Sequence, residues 1–109
     1  MQIQDVPFSV IDWSRVKPTE HPGETGAATW RTFECGNLRV RMVEYSSEYR
    51  ADHWCSRGHV VLVIRGELVT ELKDGRRFVL PAGSSYLAAE NLEPHRSSTA
   101  NGATVFIVD

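Results

Sequence analysis

The chain has 109 residues, 41% hydrophobic and 24% charged, enough for one domain with a single core and too few for a second. Its formal net charge of -2 excludes the strongly basic balance that marks a partner of nucleic acid or anionic membrane, and no apolar run reaches the ~20 residues of a membrane-spanning helix. The start Met-Gln-Ile-Gln-Asp lacks the basic and apolar regions of a secretory signal, so a cytoplasmic protein is expected.

Residues 1–28 hold three of the five prolines, Pro7, Pro18 and Pro22, and show no sustained period. They read as an extended N-terminal arm packed on the body, with at most one short helical turn around Trp13 to Val16. Residues 29–109 read as one all-β unit, because short β-branched or alternating runs recur there between turn residues at regular spacing. The strand candidates are 28–34, 38–46, 49–55, 59–65, 67–72, 76–80, 84–88, 95–99 and 103–108. Leu38, Val40 and Met42 alternate with Arg39 and Arg41, which predicts a core face and a wet or functional face. Lys73-Asp74-Gly75 is the clearest hairpin turn.

The residues with most chemical content are Asp52-His53-Trp54-Cys55-Ser56-Arg57-Gly58-His59 and, downstream, His95. On an extended strand side chains alternate between faces, so His53 and Cys55 would point the same way as a two-ligand edge. His59 shares their parity but would lie roughly 20 Å from His53 on a straight strand, far beyond the ~2 Å of a metal bond. A turn at Ser56-Arg57-Gly58, with 59–64 as a buried returning strand, would bring His59 back to the pair. His53, Cys55, His59 and His95 are therefore the candidate metal ligands. The alternative is that these side chains simply fill a polar interior.

Asp52 cannot share a face with His53 and is expected to support a ligand or a turn. His21, in a proline-glycine turn, is left outside the set. Cys35 and Cys55 are 20 residues apart, and in a reducing compartment both would be thiols, Cys35 as a small apolar residue at a strand end. Only Lys17 and Lys73 are lysines among 12 basic residues, so positive charge sits mainly on guanidinium groups. Arg41, Tyr45, Arg57, Tyr86 and Arg96 are candidates to line a pocket for an anionic or polar substrate, with surface exposure or packing as the alternative for each.

The frame His53, Cys55, His59, six residues and Gly66, followed by Pro94-His95-Arg96, resembles the two motifs of the cupins. More narrowly, Asp12-Trp13-Ser14, His21-Pro22-Gly23-Glu24, Asp52-His53-Trp54-Cys55 and His95 through Thr99 resemble the small cupin-fold proteins named for a DHCW motif. The resemblance implies a single-domain antiparallel β-barrel of jelly-roll type. It puts Cys55 at the family's second histidine position, His59 at its glutamate position and His95 at the histidine of the second motif. It also implies a homodimer.

Three imidazoles and one thiolate suit zinc, with nickel, copper and iron as alternatives. Two classes of function follow. One is a metal-dependent enzyme of oxygenase, isomerase or hydrolase type acting on a small molecule in the barrel. The other is a non-catalytic ligand-binding or sensing module with a structural metal.

Overall fold

The computed structural model describes all 109 residues, as eight strands and one 3-10 turn at Trp13–Arg15. The strands are β1 (Thr19–Pro22), β2 (Ala27–Cys35), β3 (Leu38–Tyr45), β4 (His59–Leu72), β5 (Arg77–Pro81), β6 (Ser85–Ala88), β7 (His95–Ser98) and β8 (Ala103–Val108). Every pairing is antiparallel. One sheet runs β1-β2-β3-β8-β4-β6 and the other β5-β4-β7, so the single long strand β4 belongs to both. No helix is long and apolar enough to cross a membrane.

β4 joins the two strands that the sequence separates at 59–65 and 67–72. Gly66 makes the passage, with φ +79° and a register shift against β8 just before it. A Cβ at this position would lie 2.2 Å from the carbonyl oxygen of Gly102, so backbone closes on backbone where a side chain would stand.

The core follows the two-residue period of the strands. Val61 and Val63 on β4, Val43 on β3 and Val105 on β8 are fully buried, and each removes apolar surface worth about 1.5–3 kcal/mol. His59 continues the parity of Val61 and Val63. Arg41 continues that of Val43, and Asp109 that of Val105 and Ile107. Apolar core and polar site are thus successive layers of one interior. On β3 the arginine face is the functional one, as expected, but it is also interior: Arg41, Val43 and Tyr45 face inward, while Leu38, Val40 and Met42 take the other side, where Val40 is buried too. The structural reason is that the opposite face has its own apolar cover, with Trp13 set edge-on against Phe106, the β8 partner of Met42.

Two further expectations meet a different structure. Thr19–Pro22 pairs with Ala27 to Trp30 as a sheet strand, so the sheet reaches into the segment read as an arm. Residues 49–55 form no strand; their backbone meets the sheets through isolated bridges at Arg50 and Cys55, and Tyr49 packs on the Tyr45 ring. Asp74 does organise the β4–β5 turn, where its Oδ1 accepts from the Arg76 N–H and Gly75 takes φ +100°.

Gly66→Ala should lower stability by about 2 kcal/mol or more, because positive φ and the approach of Gly102 are both lost to a methyl group. Equal urea midpoints for the variant and the parent would contradict this account of β4.

Candidate metal centre

Cys55, His59 and His95 bring three ligand atoms to within 4.8 Å of one another. Each arrives by a different route. His59 opens β4 and His95 opens β7, both pointing into the barrel. Cys55 is carried in on an irregular segment that bridges to β7: its N–H donates to the His95 carbonyl (2.7 Å), and the His95 N–H donates back (2.9 Å). The following loop is fastened to the 88–91 region by Gly58 N–H to Glu90 Oε1 (2.8 Å) and Asn91 N–H to the Ser56 carbonyl (2.8 Å).

The expected strand face shared by His53 and Cys55 is not formed, because 49–55 is irregular. His53 stands at the cavity rim with its side chain 75% exposed and its Nδ1 2.7 Å from Asp52 Oδ1. It lies outside the three-ligand group. His59 reaches Cys55 through His95 rather than through a hairpin. His21 stacks on Trp30 with ring centres 3.7 Å apart and bonds Thr19 through Nε2. Cys35 ends β2, and its thiol faces the Asp5 carbonyl at 3.5 Å.

The hydrogen bonds orient both imidazoles. His95 Nδ1 lies 2.9 Å from the Glu93 carbonyl, and His59 Nδ1 lies 3.4 Å from Asp109 Oδ2. Acceptors at both Nδ1 atoms assign the protons there and leave both Nε2 atoms as lone pairs. These face each other at 2.8 Å. Two lone pairs at that distance repel unless a proton or a cation lies between them. A proton shared as an N–H···N hydrogen bond satisfies this spacing in the metal-free protein; the chemistry of the donor set, one thiolate and two imidazole nitrogens converging, is that of a divalent-cation site.

The remaining electrostatics agree. His95 holds the Cys55 thiol below its ordinary pKa against the opposing effect of burial, and Cys55 in turn raises His95. Tyr86, whose hydroxyl is 3.2 Å from His59 Nε2, is pushed well above the usual phenol value by burial and stays protonated.

Asp109 is the site residue that the sequence reading misses. Its side chain is fully covered and accepts from Arg39 Nε (2.8 Å), Arg39 Nη2 (3.1 Å) and Arg41 Nη2 (2.9 Å) besides facing His59. Burial opposes ionisation, but His59 and the two guanidinium groups outweigh it and hold the carboxyl below the ordinary range. The signal was its alternation with Val105 and Ile107, opposite arginines that alternate on β3.

Above the cluster opens a cavity of about 320 Å³. Arg41, Tyr45, Tyr86 and Arg96 all line it, as do Arg57 and His53.

No protein-family model and no curated protein matches the sequence, so the narrower resemblance to DHCW-motif proteins has no match behind it. Solved structures do match. An RmlC-like cupin from Shewanella frigidimarina NCIMB 400 is 16% identical over 96% of this chain and 92% of that chain, with a TM-score of 0.73. A cupin-2 domain containing protein from the same organism is 19% identical over 73% and 78%, with a TM-score of 0.60. Fe(II)-HppE is 14% identical with a TM-score of 0.77, and the match covers 94% of this chain but 60% of that one.

Asp109→Asn should destabilise the protein by about 3 kcal/mol at pH 7, because two largely buried guanidinium groups lose their shared counter-charge. The folded pKa lies below the unfolded value of about 3.9, so this contribution is present above that pH and is lost as pH falls toward the folded value. Urea titrations at pH 7 and pH 3 should show the gap between parent and variant narrowing at the lower pH. A gap that is constant or wider at pH 3 would remove Asp109 from this role.

Proposed function

From a chain that has the cupin fold, with a Cys-His-His cluster facing an internal cavity, we propose a small metal-dependent enzyme acting on a polar small molecule. The observation that carries this reading is the count of converging ligands. Three protein atoms meet, and the fourth candidate, His53, stands apart at the rim. Three protein ligands beside a cavity leave coordination open to a substrate, as catalytic zinc sites do, whereas four in a tetrahedron would close the centre. Zinc suits the thiolate and two imidazoles, and iron, nickel and copper are the alternatives that elemental analysis separates. Such an ion would supply Lewis acidity to a polar group bound at the open position.

The chain's own residues supply the rest. Asp109 fixes the His59 ring, and the Glu93 carbonyl fixes His95. Tyr86, protonated and beside His59, holds a proton at its hydroxyl next to the centre. Tyr45 and Arg41 lend further donors to the wall. A non-catalytic binding module is the competing reading, and burial of the cluster favours it: His95 is 2% exposed and the His59 side chain 6%.

Cys55→Ser should lower metal affinity at least ~100-fold, since it removes a ligand where loss of a mere supporting contact costs 10–100-fold, while Cys35→Ser and His53→Ala should stay within about threefold of the parent. Competition titration against a chelator, with elemental analysis of protein purified without a metal-affinity tag, measures this. Equal metal retention by Cys55→Ser and Cys35→Ser would end the ligand assignment. Closure by four protein ligands in X-ray absorption would favour the binding module.

The homodimer belongs to the same proposal. Val60, Leu62 and Ile64 lie exposed on the outer face of β4, next to Leu87 on the short edge strand β6. A second copy covering this face predicts a light-scattering mass of twice the 12.3 kDa chain, and a monomer at high concentration would reject it.

A further inference from the structure

The wall of the cavity is unbalanced in charge. Arg39, Arg41, Arg57 and Arg96 line it, and no aspartate or glutamate does. Arg96 is compensated, since its Nη2 donates to Glu71 Oε1 at 2.9 Å and its guanidinium lies over the Trp54 ring at 4.3 Å. The other three meet around Asp109. Asp109, covered behind the wall, takes both bonds of Arg39 and one from Arg41, and lies 3.6 Å from Arg57 Nε. Glu34, opposite Arg39 on β2, also stabilises that charge, so three guanidinium groups against two carboxylates leave an excess of one. A thiolate at Cys55 offsets one unit at most, and a divalent ion bound to it adds more positive charge than that.

Arg41 concentrates the imbalance. It is 6% exposed and held over the Trp30 ring at 4.4 Å, and its Nε has no hydrogen-bond partner. A buried guanidinium with incomplete hydrogen bonding is costly unless a further anion approaches it. Arg57, half-exposed at the mouth, adds a charge at the entrance. Fixed guanidinium groups in a concave wall attract oxyanions and penalise neutral isosteres, which leave the donors unpaired.

We propose that the ligand of this cavity is a small organic oxyanion, a carboxylate or phosphonate, whose charged end faces Arg41 and Arg57 and whose body points toward Cys55, His59 and His95. This names the substrate class for the enzymatic reading above and rests on the cavity being the binding site. Recognition is carried by the arginines, so charge selectivity belongs to the metal-free protein as well.

Isothermal titration calorimetry of metal-free and zinc-loaded protein with benzoate, phenylphosphonate and the neutral benzamide tests it. At least one anion should bind about tenfold or more tighter than benzamide in both forms, as expected for a charge-assisted hydrogen bond, and the preference should shrink with added salt. Benzoate alone would identify the carboxylate class, and phenylphosphonate alone the phosphonate class. Arg57→Gln should weaken the anion about fivefold without changing zinc content, and Arg41→Gln, checked for folding by circular dichroism, should weaken it further. Benzamide binding as tightly as both anions, or unchanged anion affinity in Arg57→Gln, would overturn the proposal. Anion selectivity without zinc retention would instead overturn the metal reading and leave this one standing.

Discussion

The carboxylate of Asp109 is the point at which fold and site depend on each other. Its backbone N–H and carbonyl pair with Arg39, which fixes β8 against β3 up to the last register position. Its side chain then turns inward to the guanidinium groups of Arg39 and Arg41 and to the His59 ring. Neither arginine could be kept inside the barrel without it, because an unpaired buried guanidinium costs several kcal/mol. The same contact determines which nitrogen of His59 is free for a metal. One buried acid thus keeps the cationic wall in place and aims a ligand at the centre.

Around that contact, the fold solves a problem of economy in a short chain. A single strand, β4, serves two sheets by passing through Gly66, and its first half carries His59 while its second half pairs with the strand that opens on His95. The valine core and the polar centre occupy successive positions of the same interior face, one above the other. Rigid strands therefore hold two of the three converging ligands, and only Cys55 depends on a loop. That loop is tied to β7 by a reciprocal backbone pair and to residues 88–91 by two further bonds, so its irregularity does not leave the thiol loosely placed.

The chemistry of the cluster follows from what surrounds it. The two imidazole Nε2 atoms meet at 2.8 Å while their Nδ1 atoms face the Asp109 carboxylate and the Glu93 carbonyl, and a thiol beside them has its proton weakened by His95. Beyond the ligands, protonated tyrosines and partly balanced arginines line the space.

The strand texture of 29–109, the β4–β5 turn and the small apolar interior were legible in the sequence, because alternation and turn residues are local properties. The candidates Cys55, His59 and His95 were legible as residue types that bind metals, and Arg41, Tyr45, Tyr86 and Arg96 as groups suited to a pocket. Which of them meet was not. Parity placed His53 beside Cys55 on an assumed strand, but 49–55 gains its contacts from β7, 40 residues downstream of Cys55, and no local pattern reports that pairing. Alternation on β3 also could not say which face is inside, since both faces have apolar cover. The sequence by itself determined the period of the strands and the chemistry available to a site; the tertiary structure decided the register between distant strands, and register alone set Asp109 beside His59, Cys55 beside His95 and His53 at the rim.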